Sequence, residues 1–501
     1  MNANNPIQLG TRREVFWDDF LVEETDAVLT QHKPHECGVA LVGDAPWEGS
    51  GCGYPVIDRD RGIVRLYYKA GNFHITPESK KGDPLTGPMV LCCAESYDDG
   101  KTFMKPNYGI YEYEGSRDNN IILMEGGDIK CTDNFAVFRD TNPACPPEER
   151  FKATFDNGLV APGSHDRILC WLKSADGVPF TMGGEMVRGG WFDSINCAFW
   201  DRHTEQYFLY MRDWPEGYNR PRDEAIGTKK RDIRYAVSRD FRTWSEPKRV
   251  EFGVDDDMEL YTNGIKPYPR ADHMFLGMST RYVERDAWSP SFNYLPNVPH
   301  RQDRCRLHPR YGLAITDCVL LTSRDGVHFK RWDEAFLRPG IETGCNWIYG
   351  DQYVSWGLVE TPSDLPDMAP NELSFYAFDS MWQKTSKLRR YAIRKDGFIS
   401  YQAPLGGATL TTKPFVQTGA RLMLNFASSA VGHIKVTLLN EDGSEIPGFT
   451  SYEVFGDNID RPVVFQNGTD VSSLAGRPIR MRLSMRDADI FSFQFVSPAF
   501  K

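Results

Sequence analysis

No stretch of this 501-residue sequence approaches the roughly 18 consecutive apolar residues that a membrane-spanning helix requires. The opening segment, MNANNPIQLGTRREVFW, also lacks an apolar core of signal-peptide length. A cytoplasmic location is therefore expected, or a periplasmic or secreted one if a leader has been removed, and no membrane partner. Positive charge is in deficit: 58 Lys and Arg face 69 Asp and Glu, for a formal charge of -11. That balance argues against nucleic acid as a partner but not against a neutral ligand. The 11 cysteines are scattered, with no Cys-x-x-Cys pair and no zinc-like Cys/His spacing. Reduced, mostly buried thiols are expected, with no metal site or organic cofactor. Long amphipathic helical patterns are scarce as well, and dense Gly, Pro, Asp and Asn punctuation takes their place.

What is present is a repeated turn. Ser96–Phe103 reads SYDDGKTF, and variants recur as SADGVPF (174–180), SRDFRTW (238–244) and SRDGVHF (323–329). Each follows an apolar strand-like run, such as PMVLCCAE or DCVLLT. Between them lie paired apolar strands split by polar turns. Asp can accept backbone N–H bonds in such a turn, Gly takes the positive-φ position, and the aromatic packs inward. A four-stranded unit ending in this staple is one propeller blade, which cannot bury its own faces alone. QYVSWGLVETP and NELSFYAFD supply a fifth blade, and REVFWDDFLVEE is expected to close the ring. After residue 390 the alternation in TLTTKPFVQTG, RLMLNFASSA and IRMRLSMRDADIFSFQFV reads as a β-sandwich. The expected fold is all-β: a five-bladed propeller over 1–390 followed by a sandwich over 391–501.

This combination, together with LRRYAIRKDGFIS and TTKPF, resembles the invertase-like glycoside hydrolases of family 32, in particular an uncharacterised bacterial branch of them. More loosely it resembles families 43 and 62, and the turns are similar to those of sialidases. The resemblance implies a carbohydrate substrate and a pair of catalytic carboxylates. In that pattern TDNFAVFRD places Asp133 as the stabiliser of the transition state. The chain departs from the pattern elsewhere. It has no Asn-Asp-Pro-Asn-Gly and no Glu-Cys pair, and the nucleophile position falls near Gly53, which carries no carboxylate. A sugar or bond other than a fructan's is implied. Some related propellers hold an axial calcium, so a structural calcium is compatible with the resemblance.

Residues just upstream of each innermost strand converge on a propeller's central funnel. Glycoside hydrolysis needs two carboxyl groups flanking the scissile bond, one of them protonated. The blade entrances offer Glu48, Asp133, Asp193, Glu259 and Glu342, with Asp351 as a second acid in blade five. Glu259, between Met258 and Leu260, is the expected acid; Asp193, beside Trp191 and Phe192, is the nucleophile or base. Glu48 is expected to bind hydroxyls or tune a partner. Trp47, Trp191 and Trp347 are candidate stacking platforms for sugar C–H faces, and Asn263 and Glu342 candidate hydroxyl ligands. Arg212 and Arg281 would favour an anionic sugar if they reach the cavity. The expected activity is exo-acting glycoside hydrolysis. The alternatives are a sialidase-like enzyme or phosphorylase on the same scaffold, and a non-catalytic carbohydrate-binding propeller. A homo-oligomer is compatible with all of them.

Overall fold

The computed structural model describes residues 5–497 except 82, 84–86, 133, 161–166, 214–230, 255, 257, 366–368 and 384. Five antiparallel sheets follow one another around a ring. Blade one runs Gly53–Asp60, Ile63–Ala70, Val90–Ser96 and Ile121–Met124. Blade two runs Ala136–Arg139, Phe151–Val160, Arg167–Ser174 and Thr181–Gly190. Blade three runs Cys197–Asp201, Gln206–Asp213, Asp232–Ser238 and Lys248–Arg249. In blade four, Glu259–Leu260 and Lys266–Tyr268 share the inner edge of Ala271–Glu284, followed by Ala314–Ser323 and Phe329–Leu337. Blade five pairs Tyr353–Val354 and Val359–Thr361 with Glu372–Asp379, then Ser386–Ile393.

The outermost strand of blade five comes from the other end of the chain. His35–Gly43 pairs antiparallel with Ser386–Ile393, from Ser386 opposite Gly43 to Ala392 opposite His35. This strand closes the ring, and REVFWDDFLVEE does not. Arg13–Val15 instead pairs with the long C-terminal strand Pro478–Val496. Its neighbours Ile7–Gly10, Val22–Thr25 and Val28–Gln31 likewise pair with strands beyond residue 398. These N-terminal strands complete an 11-stranded assembly whose two longest members, Arg421–Asn440 and Pro478–Val496, pair along most of their length. Leu422, Leu424, Phe426, Leu483 and Phe493 fill its core.

All four repeated turns are built alike. The Ser Oγ accepts from the N–H of Gly100, Gly177, Phe241 or Gly326 at 2.8–3.0 Å. The Asp Oδ1 accepts from the N–H of Thr102, Val178, Thr243 or His328. In each, the residue donating to Ser has positive φ: 97°, 88°, 62° and 75°. The third turn lacks glycine, so Phe241 takes the left-handed conformation at a cost of order 1 kcal/mol or more. Burial against Trp171 and Tyr207, with ring centroids 5.2 and 5.0 Å away, offsets it. The turns also join blades: Tyr210 of blade three donates to the carbonyl of Gly326 in blade four at 2.7 Å. They staple hairpins and lie apart from the funnel residues described below.

One buried carboxylate ties the two ends of the chain to the propeller. Asp396, in the KDGFIS segment, accepts from Tyr268 Oη (2.6 Å) and Arg270 Nε (2.8 Å) of blade four. It also accepts from Ser492 Oγ (2.7 Å), Asn425 Nδ2 (3.1 Å) and Arg13 Nη1 (3.3 Å) of the 11-stranded assembly. Its own carbonyl accepts from Trp17 Nε1 at 3.3 Å.

Candidate active site

A cavity of ≈ 270 Å³ opens where the inner strands converge. Gly53, Tyr54 and Lys69 of blade one line it, with Asp193 from the approach to blade three and Tyr261 from blade four. Tyr349, Tyr353 and Trp382 come from blade five, and Arg310 and Tyr311 from an insertion within blade four. Gly53, the position of an invertase-like nucleophile, is therefore part of the wall but offers no acid. The walls are aromatic. Phe73 stacks on Trp382 at 4.2 Å, Tyr311 on Tyr349 at 6.0 Å, and Tyr353 lies 5.4 Å from Tyr261. Tyr349 Oη donates to Tyr261 Oη at 2.8 Å. Such rings offer flat faces to sugar C–H groups while their hydroxyls stay polar.

Two carboxylate–arginine pairs flank Tyr261. Arg212 Nη1 approaches Asp193 Oδ2 at 3.8 Å, and its guanidinium lies 5.6 Å from the Tyr261 ring. Arg231 Nη1 meets Glu259 Oε2 at 2.6 Å, with its guanidinium 5.0 Å from the same ring and 4.3 Å from Tyr282. Asp193 and Glu259, though 66 positions apart in the numbering of the chain, are thus each paired with an arginine that faces the Tyr261 ring, and Asp193 is the one of the two that lines the cavity.

The other expected residues are dispersed. Asp133 lies outside the described residues. Glu48 is fully buried beside blade one, where it accepts from Tyr68 Oη, Lys105 Nζ and Ala45 N–H. Trp47 next to it donates to Asn120 Oδ1 at 2.9 Å and stands edge-on to Tyr113. Asn263 donates to the carbonyls of Ile195 and Tyr210, which joins blades three and four. Arg281 is held on blade four by both oxygens of Asp317. Trp191 faces the Arg167 guanidinium at 5.7 Å, and its carbonyl accepts from Arg212. Glu342 is exposed; Trp347, half-buried in the same loop, donates to the carbonyl of Gly340. Among the described residues, no cluster of three or more His, Cys, Asp or Glu is arranged to hold a metal ion. Nor, among the described residues, is any helix long and apolar enough to cross a membrane.

Arg310 and Tyr311 escaped the strand-by-strand reading because they sit on helices. α1 (Val298–Leu307) and α2 (Pro309–Leu313) interrupt blade four between Glu284 and Ala314. The basic run HRQDRCRLHPRYGL, without strand alternation, was the available signal. Two buried arginines of α1 hold α2 in place. Arg304 Nε donates to the Tyr311 carbonyl at 3.0 Å, and Arg301 to the carbonyls of Gly312 (3.0 Å) and Trp347 (2.6 Å). Burial, reinforced by Arg301, pushes Arg304 down to about 9.

Asp351, between the cavity-lining Tyr349 and Tyr353 in sequence, is fully buried. Its Oδ2 accepts from the Ile348 N–H at 3.2 Å, and its Oδ1 has no hydrogen-bond partner among the described residues. Burial pushes its carboxyl up to about 7, with Asp379 adding to the shift. Ionising it costs the folded state more than the unfolded chain, whose carboxyl titrates near ~3.9. Its stabilising contribution is therefore complete below pH ~4 and is lost as pH rises towards 7, by at most ~4 kcal/mol. Asp351→Asn is expected to flatten that segment of the profile, read as urea midpoints at pH 4.5 and 7.5. An unchanged pH dependence in the variant would exclude Asp351 as its source.

No family model and no curated protein matches this chain. Solved structures do. One is an endo-arabinase from Bacteroides thetaiotaomicron, at 11% identity and TM-score 0.39, covering 72% of this chain and 99% of that one. Another is an N-acetylgalactosamine deacetylase from F. plautii, at 14% identity and TM-score 0.39, covering 76% and 94%. A third is a beta-1,2-mannobiose phosphorylase from Listeria innocua, at 10% identity and TM-score 0.39, covering 72% and 96%. Likeness at this level leaves the activity to be read from the site itself.

Proposed function

We propose that this protein is a carbohydrate-active enzyme, a glycoside hydrolase that removes a terminal sugar held in the funnel. The observation that carries the reading is Asp193 in the wall of an aromatic cavity of ≈ 270 Å³. That volume falls below the ~300–1,000 Å³ of sites for drug-sized ligands, which suits one sugar unit rather than a chain. Asp193 serves as nucleophile or base. Glu259, whose Oε2 is engaged by Arg231, is assigned the role of acid, with its Oε1 the oxygen left to meet the leaving group. Protonation of the leaving oxygen accompanies cleavage of its bond to the anomeric carbon, and water supplies the replacing hydroxyl. Glu48 takes no part in this scheme, since Lys105 and Tyr68 occupy its oxygens.

One observation favours a second reading. Among the described residues a single carboxylate, Asp193, lines the cavity itself, among cationic neighbours. A phosphorylase needs only one acid on the protein: phosphate oxygen bonds to the anomeric carbon as the glycosidic bond breaks and the leaving oxygen takes the acid's proton. A panel of aryl glycosides and oligosaccharides, assayed with and without inorganic phosphate, separates the cases. Release of one terminal sugar supports hydrolysis, and phosphate-dependent release of a sugar 1-phosphate supports phosphorolysis. Sugar binding without turnover of any member would overturn the enzymatic reading in favour of a binding propeller.

A further inference from the structure

We propose that the guanidinium of Arg310 anchors an oxyanion in the funnel cavity, borne either by the bound sugar as a carboxylate or by inorganic phosphate beside it. The inference rests on reading the cavity as the sugar site and names the chemistry that site selects. Most of the other arginines near the cavity already have a carboxylate: Arg212 has Asp193, Arg231 has Glu259, and Arg167 has Asp156. Arg310 differs. Among the described residues no carboxylate lies within ion-pair distance of it and none of its side-chain nitrogens makes a hydrogen bond, although it lines the cavity. Its guanidinium contacts only ring faces, 5.0 Å from Tyr311 and 5.4 Å from Tyr349. Rings stabilise the cation without satisfying its N–H fork, which is planar and suited to two oxygens of a carboxylate or phosphate.

The arginine is also held in place beforehand. Its backbone N–H donates to His308 Nδ1 at 3.3 Å, and Arg301 and Arg304 grip the carbonyls of the two residues that follow it. Lys69 lines the same cavity. The carboxylate of Asp193, the one acid in the wall among the described residues, has Arg212 at 3.8 Å to offset its repulsion of an anion. A fixed, half-buried cation with open donors is suited to an anion that completes its fork.

Binding can be measured without turnover, so the test stands apart from the hydrolase assay. Thermal shift and calorimetry on the full chain would compare inorganic phosphate, D-galacturonate and D-glucuronate with D-galactose and D-glucose. Either uronate binding at least about tenfold more tightly than its neutral parent assigns the anion to the sugar. Saturable phosphate binding without that preference assigns it to phosphate. In both cases Arg310→Met should weaken the anion roughly 10- to 100-fold, with a smaller loss for Arg310→Lys and little change for neutral sugars. Equal affinity of wild-type protein for uronates and neutral sugars, with no saturable phosphate binding, overturns the proposal, and needs no variant to fold. Undiminished anion binding by a folded Arg310→Met variant overturns it as well.

Discussion

Replacing Asp396 by alanine is expected to destabilise the protein by about 3–5 kcal/mol, the cost of leaving buried partners of an ion pair without their counter-charge. The carboxylate is fully buried, and its removal strands Arg13, Arg270, Tyr268, Ser492 and Asn425 together. Those partners come from the N-terminal strands, blade four and the C-terminal assembly, so the loss falls on the contact between them. Burial opposes ionisation of Asp396, but the charges of Arg270 and Arg13 and their hydrogen bonds win and hold its carboxyl well below the usual range. A depressed folded value makes the contribution complete above the unfolded value of ~3.9 and lost as pH falls further. Urea midpoints should therefore drop markedly for Asp396→Ala at pH 7. The gap between variant and wild type should narrow at pH 3. Asp396→Asn, which keeps the shape, should fall between. A variant within about 1 kcal/mol of wild type at pH 7 would show that the hub contributes little.

Asp193→Asn is expected to lower kcat by about 10³-fold on whichever glycoside proves to be the substrate, within the ~10²–10⁴-fold range of a positioned acid or base. Asn is close to isosteric and still faces Arg212, so binding of the terminal sugar should change by less than about threefold. Glu259→Gln should give a loss of similar size, and more on substrates with poor leaving groups than on activated aryl glycosides, because only the former need the proton. A folded Asp193→Asn enzyme retaining turnover within tenfold of wild type would remove Asp193 from the chemistry. In the phosphorolytic case, loss at Asp193 would remain while the rate stayed dependent on phosphate.

Much of the propeller was legible because its signals are local. The Ser-x-Asp turns are satisfied by hydrogen bonds within about four residues, such as Gly100 N–H to Ser96 Oγ. They read correctly even at Phe241, where the glycine is missing. The same logic, acids placed just ahead of inner strands, picked out Asp193, which lines the cavity, and Glu259, which does not. Other site assignments needed distances the sequence does not carry. Glu48 resembles a funnel acid until Lys105, far along the chain, is seen to occupy it. REVFWDDFLVEE has the alternation of a closing strand, and so does HECGVALVG. Pairing alone separates them, since Arg13 is drawn to Asp396 and Asp460 in the C-terminal assembly.

The turn chemistry and the two kinds of β-structure follow from the sequence by itself, because period-two burial and side-chain-to-backbone bonds act between near neighbours. That Asp193 faces the cavity, and that Arg310 faces it with no carboxylate partner among the described residues, was decided only by tertiary structure. Those facts depend on ring closure by a strand from the opposite end of the chain and on two buried arginines that fix an inserted helix. Packing of that kind is set by segments far apart in sequence, where no local pattern records which partner will arrive.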